Sequence, residues 1–285
     1  MRLISFRHSG RRGIGVMRGD TAFIDLSKAA PQLPTDMRAL LALGKAWQQR
    51  VEQAIKGKAA DYSINDIVFD PVVIEPHATW AVALNYKAHQ EETGLQRSQY
   101  PEMFLRVPTS IVGHLQELMP PRPPYMKAFD FEGELAVILG KPGRYIDEKD
   151  ALLHVAGYSS YNEGSVRAYQ RHNRQFGLGK NFEKSGSFGP WLMTPDEFGD
   201  YKKQSVITRL NGVEKQRCGL AEMLNSVENQ IAYLSEGITL QPGDVIATGT
   251  PGSLPGTDKH MQHGDSVEVE ITGLGVLKNR VGQQP

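Results

Sequence analysis

Four groups of residues hold most of the side chains whose types and spacing can do chemistry. The sharpest is Asp130-Phe131-Glu132-Gly133-Glu134, which leads into the apolar run Leu135-Ala136-Val137-Ile138-Leu139. Side chains repeat every second residue along a strand, so Glu132 and Glu134 share a face about 6 to 7 Å apart. At an effective dielectric of about 20, two carboxylates at that spacing repel by roughly 2 to 3 kcal/mol. Either a hard divalent cation such as Mg²⁺ or Mn²⁺ offsets the repulsion, or the pair is a solvated strand end. Gly133 between them leaves the opposite face open to close approach. A third acid stands at Glu163, where Asn162-Glu163-Gly164 interrupts a strand-like run. It is available as a further ligand, or simply complements the dipole of a helix that follows.

The second stretch is Asn85-Tyr86-Lys87-Ala88-His89-Gln90-Glu91-Glu92. With Asn85 as cap and Gly94 as stop, a short helix puts His89 and Glu92 side by side. A carboxylate fixes the imidazole tautomer and raises its basicity, which suits a general base; an ordinary surface pair has the same spacing. The third is a helix expected from Val166 to Gln175 with Ser165 as its cap. Arg167, Gln170 and Arg174 share its face, as an anion receptor or as a solvated surface. The fourth comprises Lys180, in Gly179-Lys180-Asn181-Phe182, and the turn Thr248-Gly249-Thr250-Pro251. Lysine can steady an oxyanion and the turn can present hydroxyls and amides, or these are a surface cation and a tight turn. Gly249 to Gly256 lacks the Lys-Ser/Thr of a phosphate loop, and no helix follows the glycines at 10, 13 and 15, which excludes a dinucleotide fingerprint.

The elements that must position these groups are mainly strands. Leu3 to Phe6, Ile14 to Met17 and Thr21 to Asp25 read as a small meander, followed by a helix from about Thr35 to Ile55 and a proline-bounded connector from Ile67 to His77. A boundary near residue 70 therefore separates a small N-terminal region, 1–70, from the remainder, 71–285. In the latter, Trp80 to Leu84, Leu135 to Leu139, Val155 to Tyr161, Ser205 to Leu210, Asp244 to Thr248 and Ser266 to Thr272 read as strands, with a hairpin turn at Asn211-Gly212. One long helix is expected where Leu220, Met223, Leu224, Val227, Ile231 and Leu234 form a stripe that ends at Gly237.

Composition narrows the classes. The 285 residues carry 32 Lys plus Arg against 32 Asp plus Glu, which does not suit a binder that works by neutralising nucleic-acid phosphates. Cys218 is the single cysteine, so no intramolecular disulfide forms, as suits a reducing compartment. The start, MRLISFRHSGRRG, lacks the apolar stretch of a secretory signal, and no run approaches the length of a membrane span. The expectation is a soluble, cytoplasmic protein.

The sequence also resembles the fumarylacetoacetate hydrolase family over roughly residues 78 to 282. The motifs stand in the family's order: LNYKAHQEE at 84–92, FEGELAVILGK at 131–141, GYSSYNEGSVRAYQ at 157–170, GKNF at 179–182, FGPWLMT at 188–194, LNGVEKQ at 210–216, PGDVIATGTP at 242–251, and GDSVEVEITGLGVLKN. The resemblance implies an α+β, predominantly β fold: a mixed β-sandwich roll with short flanking helices, commonly a homodimer. It assigns Glu132, Glu134 and Glu163 to metal binding, with Mg²⁺ or Mn²⁺ expected and Ca²⁺ also admissible. It assigns His89 and Glu92 to water activation and matches Lys180, Gln170 and Thr250 to residues that contact substrate oxygens, with Lys180 counted as catalytic. Arg106, at a position of the same pattern, and Arg167, from its helix face, join the expected substrate contacts. Two departures stand out: Glu163 replaces a usual aspartate, and Arg106 stands where lysine is frequent. The implied reaction is metal-dependent hydrolysis of a carbon–carbon bond in a 2,4-dioxo acid. Its rivals are decarboxylation of an oxaloacetate-like acid, isomerisation of an unsaturated dioate, and oxo-acid binding without turnover.

Overall fold

Short strands, buried almost throughout at the centre, build a large sheet, and its strand order explains where the site falls. The computed structural model describes residues 1–94, 98–173, 175–258 and 260–283. From one edge the strands run Tyr62–Ser63, Ala22–Asp25, Arg11–Arg18, Arg2–His8, Gly186–Met193, Val155–Asn162, Gly133–Leu139, Val245–Ala247, Thr79–Ala83 and Glu102–Arg106. Neighbours in this order are antiparallel except Val245–Ala247 beside Thr79–Ala83. The N-terminal meander is thus continuous with the rest, because Arg2 pairs with Met193 and Leu3 with Leu192.

A second sheet, ordered Val213–Gly219, Ser205–Leu210, Ser266–Ile271, Gly275–Val281 and Glu117–Leu118, covers part of the first. Its first hairpin turns at Asn211 and Gly212, both with positive φ (52° and 78°), as that dipeptide predicts. Ser266–Ile271 buries alternate residues, in keeping with one wet face. Between the sheets Leu135, Val137 and Leu139 meet Val206, Val269, Ile271 and Leu277, while Ala136 and Ile138 point the other way, into the N-terminal helices. The architecture is the strand-dominated α+β sandwich that the resemblance implies.

Three helical expectations are corrected. The helix over Thr35 to Ile55 is two helices, Met37–Leu41 and Ala46–Ile55, because Gly44 takes φ 66° between them. The stripe from Leu220 to Leu234 is one turn of 3-10 helix, Leu220–Glu222, and then a separate helix, Val227–Gly237, capped by Ser226. Both pieces pack on the same core, so an apolar stripe at helical spacing arose without one continuous helix. The helix from Val166 to Gln175 is reduced to Arg167–Gln170, with Arg174 outside the described residues. Ser165 and Val166 are taken instead by a two-strand ladder with Phe129–Asp130, and the Ser165 hydroxyl donates to the Glu163 carbonyl rather than capping.

Candidate active site

The carboxylates converge because two neighbouring strands end together. Gly133 pairs with Asn162, so Glu134 on one strand and Glu132, the residue before that strand, come beside Glu163, the residue after the partner strand. Backbone bonds fix the junction: Glu163 N donates to Glu132 O at 2.8 Å, and Glu132 N donates to Asn162 Oδ1 at 3.1 Å. Two glycines make the packing possible. A Cβ at Gly133 would lie 2.0 Å from Thr208 Oγ1, and one at Gly164 would lie 1.7 Å from the Ser185 carbonyl oxygen. Oxygens of Glu132, Glu134 and Glu163 consequently lie within 4.8 Å of one another, and all three side chains are buried.

Cations surround two of the three. Arg167 Nε donates to Asp130 at 2.7 Å and its other arm reaches Glu132 at 2.5 Å; Lys180 Nζ donates to Glu163 at 2.9 Å and also to Glu132. Arg106 approaches Glu163 at 3.4 Å. Burial disfavours the charged form of Glu132, yet Arg167 and Lys180 overcome it and hold the carboxyl well below its ordinary range. Glu134 is the opposite case. Burial, then the charges of Glu163 and Glu132, push it well above that range, and its bond from Gly249 N at 2.9 Å only partly offsets them. Burial raises Glu163 too, against Lys180 and Arg106.

Asp130, Glu132, Glu134 and Glu163 face Arg106, Arg167 and Lys180, so the fully ionised group keeps one uncompensated negative charge. Glu134 has no ion-pair partner among the described residues, and Glu163 Oε1 is buried without a hydrogen bond. Clustered oxygen donors of this charge fit a hard divalent cation and are poor ligands for soft ones.

His89 stands on the helix Lys87–Thr93, with Nδ1 at 3.1 Å from Glu92 Oε2. Gly94 ends that helix in a left-handed conformation, as expected. Asn85 does not cap it. Its amide donates to the Asn225 and Thr248 carbonyls, tying the segment to the turn at 248–251. That turn also carries Thr250, whose hydroxyl donates to Gly133 O and accepts from Gln216 Nε2.

A cavity of about 90 Å³ is lined by the three glutamates with His89, Lys180, Arg167, Gln170 and Thr250. Glu92 is not part of that lining and reaches the site through His89 Nδ1. Arg106 is absent from that lining: it is buried behind Glu163, where its guanidinium donates to Ser110 Oγ. Sequence reasoning missed Asp130, which holds Arg167; Asn162 and Gln216, which hold the Glu132–Gly133 backbone; and Glu102, on the cavity wall. The alternation Asp130, Glu132, Glu134 was a signal for the first. The others carry no local signal.

Fold and site together define a class: β-sandwich proteins whose paired strand ends converge carboxylates beside a histidine, a geometry suited to holding a hard ion and a small chelating acid. The comparisons carry this further. Residues 78–282 match the model of the fumarylacetoacetate (FAA) hydrolase C-terminal domain, and the chain belongs to the fumarylacetoacetate hydrolase family. It is 33% identical over 289 residues to the mitochondrial oxaloacetate tautomerase FAHD2A of Homo sapiens, covering 99% of this chain and 91% of that one. Among solved structures it is similar to the fumarylacetoacetate hydrolase of Exiguobacterium antarcticum (TM-score 0.82, 30% identity, all of both chains). It is also similar to maleylpyruvate hydrolase of Sphingobium sp. SYK-6 in complex with manganese(II) ion and pyruvate (TM-score 0.83, 27% identity, all of both chains).

Proposed function

We propose that the protein hydrolyses a carbon–carbon bond in a short 2,4-dioxo acid, using Mg²⁺ or Mn²⁺ held by Glu132, Glu134 and Glu163. The observation that carries this reading is a single cavity shared by the carboxylate triad and by a histidine whose Nδ1 faces a carboxylate. When bound, the ion supplies the charge that draws in the substrate's carboxylate and keto oxygen and makes an enolate affordable. With Nδ1–H turned to Glu92, the neutral His89 ring carries its basic lone pair at Nε2, where it takes a proton from water. The water oxygen adds to the C4 carbonyl, the C3–C4 bond breaks, and its electron pair goes to C3. Lys180 and Arg167 steady the negative charge of the departing oxo-acid fragment, and His89 returns its proton to C3. One water is consumed; an acid and a 2-oxo acid leave.

The test is incubation with acetylpyruvate and Mn²⁺. Equal release of acetate and pyruvate supports the reading, and unchanged substrate speaks against it. A second reading, keto–enol tautomerisation of oxaloacetate, is favoured by the similarity to FAHD2A. It needs the same proton carrier but no water, so loss of the enol's ultraviolet absorbance without acid fragments distinguishes it. Carbon dioxide release would indicate decarboxylation instead. The resemblance further supports a homodimer, which sedimentation would check.

A further inference from the structure

We infer that Glu102 selects the substrate's tail, favouring uncharged, hydroxyl-bearing tails and disfavouring a second carboxylate; the inference rests on the oxo-acid reading above. The strand Glu102–Arg106 sets Glu102, Phe104 and Arg106 on one face by its period of two. Its neighbours show where that face looks. Arg106 approaches Glu163 at 3.4 Å, the Phe104 ring lies 5.6 Å from Lys180 Nζ, and Glu102 is on the cavity wall. At about 6.6 to 6.8 Å per pair of residues, Glu102 stands some two steps along the strand from Arg106, at the Ala83 end of the ladder, and lines the cavity with no cation of its own among the described residues.

Glu102 pairs with Ala83, and Val82, Ala83 and Leu84 supply the apolar residues of the cavity lining. The other lining glutamates are engaged: Glu132 and Glu163 by cations, Glu134 by Gly249 N. Glu102 is half-buried and, among the described residues, makes neither hydrogen bond nor ion pair. An oxo acid anchored by its carboxylate and keto oxygen beside Lys180 extends the rest of its chain along this wall. A second carboxylate there meets like charge in a confined space, whereas a hydroxyl finds an acceptor. Glu102 thereby separates the two readings of the function, since oxaloacetate carries the charge that it opposes.

The experiment is calorimetry on the full chain loaded with Mn²⁺, using oxalate as a tailless probe, 2-oxoglutarate as a carboxylate-tailed probe and 4-hydroxy-2-oxopentanoate as a neutral hydroxylated one. The wild type should bind oxalate and prefer the hydroxylated probe to 2-oxoglutarate by at least tenfold. In Glu102→Gln that ratio should fall by tenfold or more. If oxalate does not bind the wild type, the oxo-acid reading itself fails and the inference with it. If oxalate binds but the ratio shifts by less than twofold in the variant, only the role of Glu102 is overturned.

Discussion

At Lys180 one ammonium serves two buried carboxylates, Glu132 and Glu163. Removing one member of a buried ionic group typically costs about 3 to 5 kcal/mol because its partners stay behind uncompensated. Lys180→Met should therefore lower the urea midpoint and reduce acetylpyruvate turnover by roughly a hundredfold or more. His89→Ala makes a contrasting case. Loss of a positioned base costs about 10² to 10⁴ in kcat, and Mn²⁺ affinity measured by calorimetry should persist because His89 is not among the clustered carboxylate ligands. Unchanged turnover in that variant would remove it as the base. The carboxyls also set a pH dependence. Glu134 and Glu163 are raised on folding, so above the ordinary carboxylate value of about 4.5 the folded state holds protons that the unfolded chain has lost, and stability falls as pH rises through that window. Glu132 is lowered, so its contribution is present above about 4.5 and is lost only as pH falls further. A divalent ion competes with the protons on Glu134 and Glu163. Melting curves from pH 5 to 8 should show the stabilisation by Mn²⁺ growing with pH.

Among the elements, the break after Val155–Asn162 matters most to the site. It turns Glu163 inward, and Gly164 is pressed against the Ser185 carbonyl with no space for a methyl group. Overpacking commonly costs about 1 to 3 kcal/mol and backbone cannot yield like a flexible side chain. Gly164→Ala should lose at least that much in urea denaturation and weaken Mn²⁺ binding together with it. The helix Val227–Gly237 supplies a control, since neither it nor Ser226 lines the cavity. Ser226 Oγ accepts from Asn229 N at 3.2 Å, and losing such a cap typically costs about 1 kcal/mol. Ser226→Ala should show that loss without a change in metal affinity.

For the molecule as a whole, the sheet is continuous through the N-terminal region. Arg2–His8 covers the edge of Gly186–Met193, and Leu3, Ile14 and the helices at 37–41 and 46–55 share a core with Ala136 and Ile138. Those last two residues lie on the strand that carries Glu134. Deleting residues 1–70 would expose this apolar face and an unpaired strand edge, so residues 71–285 alone should show no cooperative unfolding transition. No helix among the described residues is long and apolar enough to cross a membrane.

Local order was legible in the sequence because it rests on neighbours in the chain. The alternation that puts Glu132 and Glu134 on one face, the helical spacing of His89 and Glu92, and the Asn211-Gly212 turn all need only a few consecutive residues. Spacing failed where tertiary packing took over: one apolar stripe served two separate segments, and a ladder claimed the residues meant to open a helix. Strand register alone decided that Asn162 lies opposite Gly133, which brings Glu163 to the other two carboxylates. The same folding put Arg106 behind Glu163 and Glu102 on the wall, distances apart that no local period encodes. Residue identity and nearest-neighbour geometry are properties of the chain, whereas the meeting of charges remote in sequence follows from which apolar faces are buried together.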